Sequence, residues 1–473
     1  MAVTSALRAG ARGAAVRLVP LAVAALVVLV QYRAASLVGV VTAALLVVGF
    51  AYLAHRQVNV AVVIGLCVVA SLPVYAGRYV GGTQFGVTPG LVVGIILLPS
   101  ALSSLRLARL VPMDLAVAAF CGLRVLSTLL NLSVRPGAVL GPALYVAVPY
   151  TVFRLLALRR DLPRVAAVAV VIGGTASAVF AVLEHSGAGN LYFRLPSSGY
   201  EYSAFAQEQF RFGEVRAEAA FGHSIALGMF LALALVLAVA LAVETTNLLA
   251  RSALALAATV MLLGTLDTLS RGAMLMLAAG VALWFVLESR RLQLTTLLGV
   301  LLVGAAVVVA TPVSSTVSEL VSSSQSSDTN EAASTEHRVA ILDLVRDPSE
   351  FSVLGQRSAG TGSVTDQVEQ RTGLNSFDNA YALVYLSNGV LTVLAFLAVG
   401  VLAFVTLAAG GLTNLERAWA AALCAATLNL FTVNLLTQFG DFYWMAAGVC
   451  AASWQRLRVV RTARNDELVR HHF

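Results

Sequence analysis

Long apolar runs separated by short polar gaps dominate this chain. Runs long enough to cross about 30 Å of hydrocarbon lie near residues 18–32, 35–54, 57–76, 87–102, 112–131, 138–157 and 163–184. More follow near 217–243, 249–268, 272–288, 292–311, 388–409, 415–436 and 440–456. Each reads as a helix, because only a helix or a closed barrel satisfies its own backbone donors and acceptors in lipid. The pattern predicts an all-α, polytopic membrane protein with about fourteen transmembrane helices and one large external loop. Arg8, Arg12 and Arg17 precede the first run and Ala34-Ala35-Ser36 follows it, the layout of a cleavable signal peptide. A second run begins at once, which favours an uncleaved first helix.

The gaps alternate in charge. Arg33, Arg78 and Arg135 stand singly in one set of gaps. The other set holds His55/Arg56, Arg106/Arg109, Arg159/Arg160/Arg164, Arg251, Arg290/Arg291 and Arg417. Short arginine-rich loops stay in the cytoplasm, so the second set is predicted to be cytoplasmic and both termini lie on that side. The chain then divides into N-terminal transmembrane helices (1–184), a first external loop (185–216), central helices (217–311), a large external loop (312–380), C-terminal helices (381–456) and a cytoplasmic basic tail (457–473). The large loop opens on an acidic Ser/Thr-rich stretch, Ser314 to Glu336, with little to bury. A short helix is expected to start at Thr335-Glu336-His337-Arg338. Its apolar positions are Val339, Leu342 and Val345, and Asp347-Pro348 ends it. Gly355, Gly360 and Gly362 follow as turns. No internal repeat of the inverted-transporter kind is visible.

Composition sharpens this picture. The chain has 473 residues, 59% hydrophobic and 12% charged, about half the charge of an ordinary soluble domain. Its net charge is +7, every basic residue being arginine. The excess sits in short loops and the tail, so it is a topology signal and not a nucleic-acid footprint. Cys67, Cys121, Cys424 and Cys450 fall inside apolar runs and have neither disulfide nor metal spacing.

Candidate chemistry lies among charges expected near the external face. Arg216 and Glu218 open the eighth span, with Phe221-Gly222-His223-Ser224 one to two turns deeper. Asp267 and Arg271 flank the turn Thr268-Leu269-Ser270. Arg338 lies on the loop helix, Asp378-Asn379 precede span twelve, and Gln438 and Asp441 occupy the last external turn. Arginine suits phosphate because its planar fork donates two parallel hydrogen bonds and stays charged when partly desolvated. A carboxylate or imidazole nearby can take a proton from an attacking hydroxyl. Plainer roles compete with each of these. Asp267 and Arg271 have the spacing of an i,i+4 ion pair, Arg338 suits a solvated helix face, His223 suits a buried hydrogen-bonding group, and Asp378-Asn379 suit a helix N-cap.

The order of these motifs resembles the O-antigen ligase and O-antigen polymerase superfamily of bacterial envelope glycosyltransferases. The resemblance runs from about Arg216 to Asp441. It is carried by Arg216 with Phe221-Gly222-His223-Ser224; by Ser270-Arg271-Gly272-Ala273; by Arg338 followed by Pro348 and Gly355; and by Asp378-Asn379-Ala380-Tyr381 ending at Gly389. It implies a metal- and cofactor-independent enzyme in the cytoplasmic membrane, with its active site on the external face. Such an enzyme moves a glycan from an undecaprenyl-pyrophosphate carrier to a hydroxyl on a glycan or lipid acceptor.

On that reading Arg216, Arg271 and Arg338 would bind the donor pyrophosphate. Asp378 and His223 are the two candidates for the base, and Asn379, Asp267, Gln438 and Asp441 are further cavity candidates. Ligases of the family carry a histidine before the asparagine of the loop-end motif, where this chain has Asp378. That departure leaves ligase and polymerase both open. A lipid-linked-sugar flippase or other secondary transporter is the alternative, and Arg124 is the one strongly placed mid-membrane charge it would need.

Overall fold

A computed structural model describes residues 37–73, 78–79, 86–130, 140–141, 143–194, 208–211, 213–286, 341, 343–346, 352–355, 379–435 and 437–472. The expected spans near 18–32 and 292–311, most of the large loop, and the candidates Arg338 and Asp378 lie outside these residues.

The described chain is mostly helical. Its helices are α1 Leu37–Arg56, α2 Val58–Ser71, α3 Pro89–Leu102, α4 Pro112–Leu130, α5 Val148–Leu156, α6 Leu162–Leu183 and α7 Ser224–Glu244. They continue as α8 Leu248–Asp267, α9 Arg271–Val286, α10 Ala380–Asn388, α11 Val390–Ala408, α12 Asn414–Asn429 and α13 Phe439–His472. Two short antiparallel pairs accompany them, β1 Arg78–Tyr79 with β2 Gly86–Val87 and β3 Gln209–Arg211 with β4 Glu214–Arg216. Among the described residues five helices are long and apolar enough to cross a membrane, the ones beginning at Pro112, Leu162, Ser224, Leu248 and Val390.

α7 is the axis of the bundle, packed against α6, α8, α9 and α12. It is buried along nearly its whole length. Small residues let the neighbours approach its backbone. A Cβ on Gly174 of α6 would stand 2.7 Å from the Ala234 Cβ of α7, so glycine sets that helix separation.

Helix direction alternates, so the bundle has two ends. One carries the β3–β4 hairpin and the turn at 268–270. The other carries Arg154 and Arg456. The second is cross-braced by two ion pairs and a hydrogen bond: Arg154 Nε pairs with Asp114 Oδ1 at 3.0 Å, Arg456 pairs with Glu416, and Arg154 Nη2 donates to the Gln455 amide Oε1 at 2.6 Å.

Three boundaries differ most from expectation. The eighth span, expected from 217, starts at Ser224. The thirteenth, expected to 436, ends at Asn429 in a turn. The last runs beyond 456 as one helix to His472. In the large loop, the described helical residues bury Ile341 and Leu344 against Ala382 and Leu386, with Val345 partly covered.

Candidate functional site

The site is built on the segment leading into α7. β3 and β4 pair Phe210 with Val215 across a turn at Gly213. Their arginines tie the hairpin to the α8–α9 turn. Arg211 Nη1 donates to the Leu269 carbonyl at 3.0 Å and Arg216 Nε to the Thr268 carbonyl at 3.2 Å. Ala217 N–H donates to the Asp267 carbonyl at 3.0 Å. Arg216 is thus oriented by the same turn that precedes Arg271.

Between Arg216 and α7 the chain is not helical in the expected way. Ala219–Phe221 form one 3₁₀ turn and Gly222 takes a left-handed conformation (φ 59°), which interrupts any continuous helix. His223 is extended, and its Nδ1 accepts from Ile225 N–H at 3.2 Å as the N-cap of α7. Arg216 and Glu218 therefore stand on a strand and a turn rather than opening the span. His223 begins the helix instead of lying two turns inside it.

Carboxyl groups gather under this turn. Glu184 Oε2 accepts from Glu218 N–H at 3.1 Å and Ala219 N–H at 2.8 Å, and Asn190 Nδ2 donates to the Ala219 carbonyl at 3.2 Å. These bonds hold Ala219 at φ 45°, a conformation that non-glycine residues rarely adopt. Glu218 is buried, and both carboxyl oxygens are enclosed without a hydrogen-bond partner. Burial, reinforced by Glu184, pushes its pKa to about 9 against the opposing pull of Arg216. It is a neutral acid at physiological pH, with an O–H to donate. Burial and then Arg216 push His223 down to about 4. Its ring is neutral, and because Nδ1 accepts, Nε2 carries the proton. One fixed cation and two neutral donors so form a cluster suited to an oxyanion.

The remaining candidates fall in two places. Asp267 is buried at the end of α8, its carbonyl holding Ala217. Arg271 opens α9, where a Cβ on neighbouring Gly272 would stand 3.2 Å from Asn429 Oδ1. Gln438 is fully buried and bridges helices, Nε2 donating to the Leu72 and Ala220 carbonyls, both at 2.8 Å. Asn379 is the N-cap of α10, its Oδ1 accepting from Ala382 N–H at 3.0 Å. Asp441 lies apart. It lines a cavity of about 300 Å³ with Arg124, Phe120, Asn388, Thr437 and Trp444. The 429–441 segment connects the two places.

Two motif glycines meet backbone to backbone. A Cβ on Gly389 (φ 84°) would stand 2.5 Å from the Val353 carbonyl oxygen, and one on Gly355 (φ 90°) 2.9 Å from the Asn388 Cα. Val390 N–H donates to the Ser352 carbonyl at 3.1 Å and completes the clasp. The large loop is thereby pinned beside Asn388, on the cavity wall.

The hairpin, the carboxyl pair Glu184–Glu218 and the cavity shared by Arg124 and Asp441 are absent from the sequence reading. Only the hairpin left a readable signal, strand-like residues on either side of Phe212-Gly213. No known family profile matches this sequence, and no curated protein matches it.

Proposed function

We propose that this chain is an integral glycosyltransferase of the cytoplasmic membrane, working on its outer side at the hairpin end. It transfers a glycan from an undecaprenyl-pyrophosphate carrier to an acceptor hydroxyl. The observation that carries the reading is the cluster of Arg216, neutral Glu218 and neutral His223, fixed to the turn that presents Arg271. The resemblance that Arg216, His223 and Arg271 help to carry, to the O-antigen ligase and polymerase superfamily, names the donor. Arginine bias supports the orientation: Arg56, Arg106, Arg109, Arg159, Arg160, Arg164, Arg251, Arg417 and Arg456 fall at the ion-pair end, the expected cytoplasmic side. The fourteen-span topology, the external loop at 312–380 and the cytoplasmic termini belong to this proposal.

In the reaction, the acceptor oxygen attacks the anomeric carbon of the carrier-linked sugar. The bond from that carbon to the pyrophosphate oxygen breaks, and undecaprenyl pyrophosphate leaves with the electron pair. Arg216, Arg271 and Arg338 stabilise the developing charge. The hydroxyl proton passes to a base. With Nε2 protonated, His223 is a donor to the departing pyrophosphate, which leaves Asp378 as the base.

The test is incubation of purified protein with a lipid-pyrophosphate-linked oligosaccharide and acceptor, measuring release of undecaprenyl pyrophosphate. Wild type is expected to release it. Arg216→Lys and Arg271→Lys, which keep charge but lose the fork, are expected to lose about 100-fold in turnover. Wild-type turnover in both variants refutes the assignment.

The transporter reading draws on Arg124 and Asp441, two ionisable groups lining one cavity among the helices. Movement of the lipid-linked saccharide across a vesicle membrane without carrier release would favour it.

A further inference from the structure

We propose that the cavity of Arg124 and Asp441 is a subsite for a single sugar ring bearing an acidic substituent. The inference rests on the glycan-transfer reading and adds to it the chemical class of the sugar.

Three groups in the wall point to a ligand. Arg124 stands six residues before the end of α4, and its Nε is enclosed without a hydrogen-bond partner. A guanidinium in that position is costly unless an anion meets it. Asp441 lines the same cavity, its carboxylate over the bare Cα of Gly90 in the first turn of α3. No ion pair joins it to Arg124 among the described residues, so the cavity separates the two charges. Thr437 completes the set. Its hydroxyl is enclosed without a partner, and its backbone is left-handed (φ 47°), an unusual conformation for a β-branched residue. Such strain collects where the surroundings hold a side chain in place for a task.

The rest of the wall mixes aliphatic, amide and aromatic side chains, with Phe120, Tyr145, Phe396 and Trp444 among them. Phe120 stacks on Phe396 with centroids 4.9 Å apart and on Trp444 at 5.4 Å, and the Arg124 guanidinium lies 5.6 Å from the Phe120 centroid. Apolar side chains beside a few converging polar groups suit the apolar face and hydroxyl rim of a pyranose ring. The volume, about 300 Å³, lies at the small end of ligand sites and suits one ring rather than a chain. The acid group would pair with Arg124, and ring hydroxyls would donate to Asp441.

The subsite is mechanically joined to the hairpin cluster. Thr437 and Asp441 line the cavity while Gln438, between them, holds the Ala220 carbonyl of the turn that carries Glu218 and His223. A sugar bound here would sit one short turn from the proposed transfer centre.

Full-length protein in detergent would be titrated with glucuronic acid, glucose and inorganic phosphate, following tryptophan fluorescence. Glucuronate should quench saturably, with glucose and phosphate weaker by about tenfold or more, the worth of a charged hydrogen bond. Trp444→Phe should remove the signal. Arg124→Gln should abolish the preference for glucuronate over glucose, and Asp441→Asn should weaken both sugars. If Arg124→Gln fails to fold by thermal melt, the wild-type ranking and Asp441→Asn decide. No saturable glucuronate response, or glucose or phosphate matching it, overturns the proposal. Carrier release in the transferase assay without glucuronate binding rejects the subsite alone. Binding without carrier release supports a sugar site while rejecting transfer.

Discussion

The two ends of the bundle differ in how far they satisfy their buried polar groups and relax their backbone. At the ion-pair end most charges answer one another, although Arg154 Nη1 and Trp454 Nε1 are enclosed without partners. Asp114 accepts from Arg154 Nε at 3.0 Å and from Tyr150 Oη at 2.5 Å. Gln455 Nε2 reaches the Leu107 carbonyl at 2.7 Å, and Glu244 Oε1 takes Leu415 N–H at 3.0 Å. At the hairpin end Glu218 carries two unanswered oxygens, and the Thr437 hydroxyl and the Gln438 Oε1 are enclosed without partners. The three non-glycine residues with positive φ among the described residues, Ala219, Leu269 and Thr437, are all at this end. Buried polar groups are normally satisfied and backbones normally relaxed. At the hairpin end both rules fail together, which fits the proposed site; at the ion-pair end the backbone is relaxed and a dense set of charged bonds sustains the fold.

The sharpest break of this comparison is to dismantle the ion-pair end. Arg154 is 3% exposed, so Asp114→Asn leaves a buried guanidinium without its counter-charge. Removing one partner of such a pair costs about 3–5 kcal/mol. The thermal melting point in detergent should fall by the largest margin of any variant considered. Carrier release per folded molecule should stay close to wild type. A variant that melts normally but loses turnover would erase the distinction between the ends.

Helix positions are legible in the sequence because lipid demands long apolar runs and permits few alternatives. α4, α6, α8 and α11 fall within a few residues of the expected spans. The start of α7 is not legible. Ala217, Ala219, Ala220 and Phe221 extend the apolar run upstream around the single charge of Glu218, and Gly222-His223-Ser224 is only a weak punctuation mark. The hairpin is hidden by strands only three residues long. Glu184 and Glu218 meet across 34 positions, and Arg124 and Asp441 across most of the chain. Proximity of that kind arises from packing and leaves no local pattern. Gly355 and Gly389 are legible as motif positions, but only the clasp between them explains why a side chain is excluded.

A smaller effect separates two roles of His223. As the N-cap of α7 it accepts Ile225 N–H through Nδ1, and through Nε2–H it is proposed to donate to the leaving pyrophosphate. Asparagine retains a capping acceptor, whereas alanine does not. His223→Asn should melt within a degree or so of wild type, and His223→Ala should lose about 1 kcal/mol of stability. Both should be slow in carrier release, because alanine has no donor and the shorter asparagine amide does not reach the Nε2 position. Full turnover in His223→Asn would leave the residue with capping alone, and the hairpin end would lose one of its two neutral donors.

The effect most specific to the hairpin end is a pH dependence centred on Glu218. Its folded pKa is raised to about 9 from the ordinary 4.5 by burial and by Glu184. Between those values the folded state holds a proton that the unfolded chain has released, so stability falls as pH rises through that window. The contribution is complete below about pH 4.5 and lost by about pH 9. His223 acts in the opposite direction at lower pH. Its pKa falls from 6.5 to about 4, so its contribution is present above 6.5 and is lost as pH drops toward 4. Glu218→Gln keeps a neutral side chain of the same shape, so above pH 7 it should melt a few degrees higher than wild type. Below pH 5 the two should coincide, with the acid-side loss due to His223 intact in both. Parallel melting curves from pH 5 to 9 would mean that Glu218 is ionised in the folded protein. The cluster around Arg216 would then hold an anion of its own, and its capacity to receive the carrier's pyrophosphate would be lost.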